Sequence, residues 1–297
     1  MESQSSTLAA SMPNDMRRRQ VARHFDDVAS SYESCYTGVA YKFLFYRKRQ
    51  EIVLSRLVKI PCGKLLDIGC GPGMYASLCM QSGFSYSGID LSLGMISQCR
   101  KKFANSDAPE LLVANVQMLP FPDCSFDVVL CLGVLEYTAP GEQVAAVAEI
   151  SRVLKPGGWL ILSCLNQRSP YWRWKQRINR QFGGLKTFLK GIASGNVEGR
   201  QVQPVLVREF SEDEIRHLLY AHNLSVTKAQ YYGFNTFLPP FDAIFPRLAL
   251  WIGTKLEHKS EGRLSHWSMA FIVVAQKVDN QGAAGEPTSK CCDSYSA

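Results

Sequence analysis

The stretch KLLDIGCGPGMY, residues 64–75, decides the fold. A short apolar run ends in Asp67 and passes into Gly69, Gly71 and Gly73, spaced by two. Glycines after a strand let backbone approach a ligand closely, because no Cβ stands in the way. A phosphate-cradling P-loop needs GxxxxGK[ST], and no such lysine follows here. A dinucleotide loop needs GxGxxG, whereas this spacing is GxGxG with Met74 in the third glycine's place. Asp67 lies two residues ahead of the first glycine, where a carboxylate opposes a pyrophosphate and suits an ammonium. The loop calls for closeness to a ligand without phosphate.

Outward from this loop, strand-like apolar runs occupy 64–68, 84–89, 110–114, 126–131, 158–164, 224–231 and 269–277. Helix-like stretches at 74–82, 93–104 and 141–154 separate the first five. Strand and helix in alternation predict a parallel sheet covered on both faces, and right-handed crossovers make it doubly wound. The expected fold is α/β and Rossmann-like: a doubly wound, mostly parallel seven-stranded sheet, with N-terminal helices before it and a helical insertion after strand five. Val21, Phe25, Val28 and Ala29 have helical spacing, and a second helical pattern runs from Tyr36 to Ile60 before Pro61. Gly157 and Gly158 read as a turn ahead of strand five, and Ser211 with Glu214 as a capping box. The expected organisation is a disordered 1–13, a helical cap over 14–60, a main domain over 61–278 and a disordered tail over 279–297. Within the main domain, 167–206 is a basic, aromatic insertion or lid, and 237–258 an apolar helical segment.

The 297 residues include 46% hydrophobic and 20% charged side chains, an ordinary globular balance with a net charge of +7. Residues 168–200 hold eight Lys and Arg against the single acid Glu198, an excess equal to that of the whole chain. The ten cysteines form no metal-like CxxC pair, and several lie in apolar runs, so reduced buried thiols are expected. No metal site is read. No apolar run reaches the roughly 18 residues of a membrane span, and no secretory leader is legible; the expected location is the cytoplasm.

Downstream of the loop, YSGIDLS ends a strand at Asp90, 17 residues after Gly73. Its two oxygens suit the vicinal hydroxyls of a ribose, a feature that dinucleotide folds share. The segments LLDIGCGPG, GIDLS, VQMLPFPDCSFDVVLCLGVLEY and EISRVLKPGGWLIL follow in this order and spacing. Together they resemble the class I S-adenosylmethionine-dependent methyltransferase family, in its ubiquinone/menaquinone-biosynthesis-like branch. The resemblance covers roughly residues 20–165.

It implies S-adenosylmethionine as cofactor, with Asp67, Gly69, Gly71 and Gly73 around the methionine part and Asp90 on the ribose. Leu91 would lie beside the adenine, with Asn115 and Val116 as the pair before LPF. An Asn stands where the family commonly has Asp, and its amide oxygen can still accept from the adenine amine. Leu132 would line the cofactor after strand four, and Phe25 and Tyr32 match aromatics of the helix that folds over it.

Methyl transfer from a sulfonium is an in-line displacement, so the protein mainly positions the acceptor and excludes water. A base is needed only if the acceptor must lose a proton. Glu136 and Tyr137 are the catalytic candidates, with Tyr137 in place of the histidine usual in relatives. Aromatic residues in the cap, the insertion and the 237–258 segment predict a hydrophobic small-molecule acceptor from secondary-metabolite, quinone or lipid synthesis, methylated on oxygen or carbon. DNA is disfavoured: its amino-methylating enzymes place a polar residue, Pro-Pro and an aromatic after strand four, where this chain reads LGVLEY. The basic stretch also allows contact with anionic lipid. Three alternatives stand behind this reading: an RNA or tRNA methyltransferase, a catalytically silent cofactor-binding relative acting as a partner protein, and, more distantly, a dehydrogenase. No oligomeric state is read from the sequence.

Overall fold

The computed structural model describes residues 13–36, 41–104, 108–174, 177, 205, 207–234, 246–257 and 262–278. Its strands are β1 (Lys64–Ile68), β2 (Ser85–Asp90), β3 (Glu110–Val113), β4 (Phe126–Leu132), β5 (Leu154–Leu165), β6 (Leu224–Phe234) and β7 (Ser268–Lys277). They form one sheet in the order β3-β2-β1-β4-β5-β7-β6. The first five are parallel, and β7 runs antiparallel to both β5 and β6. The chain steps outward from β1 to β3, then returns to place β4 on the other side of β1. That reversal opens a crevice at the carboxyl ends of β1 and β4.

The helices are α1 (Asn14–Val28), α2 (Tyr41–Leu57), α3 (Ala76–Gln81), α4 (Leu93–Lys102), α5 (Glu142–Val153), α6 (Glu212–Tyr220) and α7 (Pro246–Glu257). Strand side chains alternate between two cores. Leu66 and Ile68 pack with Val147 and Ile150 of α5 and Ile215 and Leu219 of α6. Leu65 packs on the opposite face with Val53 of α2, Cys79 of α3 and Ile96 of α4. Burial on both faces is why the central strands read as continuous apolar runs. The described cysteines are free, and Cys70, Cys79, Cys99, Cys131 and Cys164 are part of the buried interior.

Two local expectations are corrected. Strand five begins at Leu154, not at Gly158, because Leu154 already pairs with Phe126 and the register slips between Phe126 and Val128. Gly157, at φ +73°, absorbs that irregularity within the strand. Asp127 fastens the same end, accepting from the Lys64 N–H at 2.8 Å and from Lys155 Nζ at 2.7 Å. At α6, Ser211 Oγ accepts from the Glu214 N–H at 3.1 Å, but Glu214 pairs with Arg208 instead of closing the capping box.

Residues 1–12 and 279–297, most of 167–206 and the 237–245 part of the apolar segment lie outside the described residues.

Candidate active site

At the carboxyl ends of β1, β2 and β4 lies a cleft with about 800 Å³ of empty space, part of it open to solvent. The glycine loop forms its floor. The N–H groups of Gly69 and Cys70 both donate to Ile89 O, at 2.8 and 2.9 Å, tying the loop to the end of β2. The three glycines have different neighbours. A Cβ on Gly69 would lie 2.4 Å from Val134 Cγ2, so this glycine admits the segment after β4. A Cβ on Gly73 would lie 2.5 Å from Cys99 Sγ, so that glycine admits α4 and is absent from the cleft wall. Over Gly71 the nearest atom would be Tyr32 Cε1 at 4.0 Å, which leaves backbone open to the cleft.

Asp90 stands beside this opening. Its Oδ2 accepts from the Gly71 N–H at 2.9 Å and its Oδ1 from the Ser92 N–H at 2.8 Å. Burial pushes its carboxyl above the ordinary range, while those backbone donors favour the charged form. Each oxygen keeps a further acceptor position, a geometry suited to two adjacent hydroxyls.

Asp67 is placed differently from the sequence expectation. It is 1% exposed, its Oδ2 accepts from the Tyr86 hydroxyl at 2.8 Å, and it is not a cleft wall. Strand alternation turns it toward the face of Leu65, away from Leu66 and Ile68. Burial lifts its carboxyl to about 7.

Leu91, Val116 and Leu132 supply apolar wall. Asn115 also lines the cleft, but its Oδ1 already accepts from the Gln117 N–H at 3.2 Å and its Nδ2 donates to Gln117 Oε1 at 3.2 Å. Gln117 Oε1 also receives Arg18 Nη1 at 2.7 Å. Arg18, Val21 and Phe25 of α1, with Tyr32 beyond it, close one side. Phe25 meets the Tyr137 ring edge-on at 5.1 Å. Asp26 latches this cap: its Oδ1 accepts from Ser92 Oγ at 2.5 Å and from the Gly94 N–H at 2.8 Å, at the start of α4. The sequence reading missed Asp26, because the helix end it serves is 66 residues away.

Behind the β4 wall lie the groups with unmet polar capacity. Glu136 is 2% exposed; its Oε1 accepts from the Leu165 N–H at 3.0 Å, and its buried Oε2 has no partner. Burial raises its carboxyl to about 7. Tyr137 lines the cleft, and burial raises its phenol well above the ordinary value. Arg49 of α2 is buried, donating Nη2 to Tyr36 OH at 2.8 Å and Nη1 to Leu132 O at 3.4 Å, with its Nε unpartnered. A Cβ on Gly133, a cleft residue, would stand 3.1 Å from Arg49 Nη1. No carboxylate of the described residues pairs with Arg49. Nothing in the sequence separates it from Arg47, Lys48 and Arg56 of the same helix.

Residues 66–162 match the family described as Methyltransferase domain. The chain is 30% identical over 150 residues to demethylmenaquinone methyltransferase of Renibacterium salmoninarum, covering 50% of this chain and 60% of that one. It is 29% identical over 153 residues to malonyl-[acyl-carrier protein] O-methyltransferase of Serratia marcescens, covering 51% and 55%. The aligned part therefore spans less than two thirds of either relative. In architecture it is similar to magnesium protoporphyrin IX methyltransferase from Synechocystis PCC 6803, crystallised with bound SAM, at TM-score 0.56 and 16% identity, over 88% of this chain and 97% of that one. Over residues 66–162 the chain is thus similar to a methyltransferase domain, on the fold described above.

Proposed function

We propose that this protein transfers a methyl group from S-adenosylmethionine to a hydrophobic small-molecule acceptor, on oxygen or carbon. The observation that carries the reading is the pairing of Asp90 with the open backbone of Gly71. Two acceptor oxygens face a cleft whose glycine loop has no lysine or arginine of its own. A nucleoside without phosphate needs only its diol bound there. The residues fit such a nucleoside. Asp90 would take the ribose hydroxyls, Leu91, Val116 and Leu132 the flat base, and the remaining lone pair of Asn115 Oδ1 an amine on it. Tyr32 and Phe25 would cover the opposite side. Arg49, cationic and without a carboxylate, would balance a ligand carboxylate near Gly133.

When bound, the cofactor supplies a methyl group already activated on a positive sulfur. The chain's work is then to hold the acceptor in line and keep water out. The cap closed by Asp26 and the aromatic contacts of Phe25 serve the second task. Tyr137 stays protonated at neutral pH and orients by hydrogen bonding, leaving proton uptake to Glu136. Glu136 sits behind the wall with one free oxygen and a carboxyl that titrates near neutrality. Relatives with quinone and acyl-carrier names support an apolar acceptor.

The test is calorimetric titration with S-adenosylhomocysteine and, in parallel, NADH. Micromolar binding of the first alone is expected. Binding of NADH instead would return the loop to the dinucleotide class. Turnover with apolar phenols and quinones should then follow a pH profile that Glu136→Gln flattens without changing cofactor affinity.

A further inference from the structure

Three tryptophans face solvent at one corner of the molecule: Trp174 is 39% exposed, Trp251 58% and Trp267 47%. Hydrogen bonds fix their common location. Trp267 directly precedes Ser268, which pairs with Phe234 where β6 and β7 meet. Glu257, at the end of α7, accepts from the N–H groups of Gly233 and Phe234 at 2.7 and 3.1 Å, fastening the helix that carries Trp251 to the same point. Trp172 donates its indole N–H to Met269 O at 2.7 Å, fastening the segment that leads to Trp174. Because β7 is antiparallel to β5, this corner lies at the carboxyl end of β5, the end of the sheet at which the cleft opens.

The corner is apolar and basic together. Leu248, Trp251 and Lys255 form an exposed stripe on α7, spaced three and four residues apart. Among the described side chains of segments 166–177, 246–257 and 262–268, Arg168, Arg173, Arg177 and Lys255 are cationic, Arg168 paired with Asp213, and Glu257 is the acid. That acid is buried and bound to backbone N–H groups, so it does not offset the surface charge.

We propose that this corner docks on the surface of an anionic phospholipid bilayer. Indole rings prefer the boundary between headgroups and acyl chains, and neighbouring cations meet lipid phosphates. Attachment is peripheral, since no helix of the described residues is long and apolar enough to cross a membrane. Single-stranded RNA also uses aromatic and basic groups. Two features favour lipid. Lys255 Nζ lies 4.4 Å from the Trp251 ring centroid, covering a face that a base would need, and Leu248 continues the stripe with purely apolar surface. Docking at this end would turn the cleft toward a membrane-dissolved acceptor. The inference does not rest on methyl transfer, and its assay reads binding alone.

The full chain should be sedimented with phosphatidylcholine vesicles, with and without phosphatidylglycerol. Binding is expected only with phosphatidylglycerol, and it should fall with added salt. Trp251→Ala combined with Trp267→Ala should weaken partitioning about tenfold, and Lys255→Ala about fivefold. Both variants should keep the wild-type fold by circular dichroism, since the three side chains are exposed. Brominated phosphatidylglycerol should quench wild-type tryptophan fluorescence and quench the double variant much less. Absence of binding to the anionic vesicles, equal binding to neutral ones, or unchanged partitioning of the double variant would overturn the proposal. So would tighter binding of a single-stranded RNA oligomer, or a dimer that only the double variant dissolves. Lipid binding by a protein that fails to bind S-adenosylhomocysteine would leave this inference standing and remove the cofactor reading alone.

Discussion

The two halves of the cleft are built differently. On the β1–β2 side the two carboxylates hold partners before any ligand arrives: both Asp90 oxygens accept from backbone N–H groups, and Asp67 accepts from the Tyr86 hydroxyl. On the β4–β5 side, Arg49 Nε and Glu136 Oε2 are buried without partners. An unmet buried polar atom costs about 1–3 kcal/mol, so the second half keeps a cost that the first has removed. The contrast separates a preorganised floor, which fixes where a ligand lies, from a rear wall that leaves a charge and a proton site available.

The largest expected effect breaks the rear wall. Burial raises the Glu136 carboxyl from 4.5 to about 7. The folded state therefore binds a proton between those values that the unfolded state has already released. Stability must fall as pH rises through this window and stay lowered above it. Glu136→Gln removes that penalty and should be more stable than wild type by roughly 1–3 kcal/mol at pH 8, with the difference vanishing below pH of about 4. Urea melts at several pH values check this, and a pH-independent difference would show that Glu136 is not titrating.

Next comes Arg49→Met. An unpaired buried cation replaced by an apolar side chain of similar length should leave stability equal or higher. S-adenosylhomocysteine affinity should fall by about 1.5–3 kcal/mol, the loss of a charge-assisted contact. Calorimetry and thermal melts on one preparation separate the two. A parallel loss of both would make Arg49 a structural residue.

On the floor, Asp90→Ala should weaken the same ligand by about 1–3 kcal/mol, and raising pH should not restore it. Unchanged affinity in a folded variant would remove Asp90 from the ribose. The smallest effect is expected at the latch. Asp26→Ala strips a cap from the start of α4, worth about 1 kcal/mol. It should speed ligand release more than it alters the melting temperature, as stopped-flow fluorescence can report.

Much of this was legible in the chain because it is local. Strand and helix periodicities name the elements, and Ser211 before α6 is a cap within three residues of the group it serves. The glycine spacing and Asp90 likewise lie in one short stretch. Other placements needed the third dimension. Gly73 and Asp67 have the spacing of cofactor residues, yet one faces Cys99 and the other Tyr86.

The sequence by itself determined the order of elements, the doubly wound sheet, and a glycine loop matched to a ligand without phosphate. Each of these follows from periodicity or from backbone freedom at fixed positions. Tertiary structure decided which residues of that loop face the cleft, that Asp26 bolts the cap to α4, and that Arg49 and Glu136 are buried with atoms unpaired. Those outcomes depend on groups 26 to 83 residues apart, or on which of two faces a strand presents. Burial and pairing are properties of the neighbours that folding supplies.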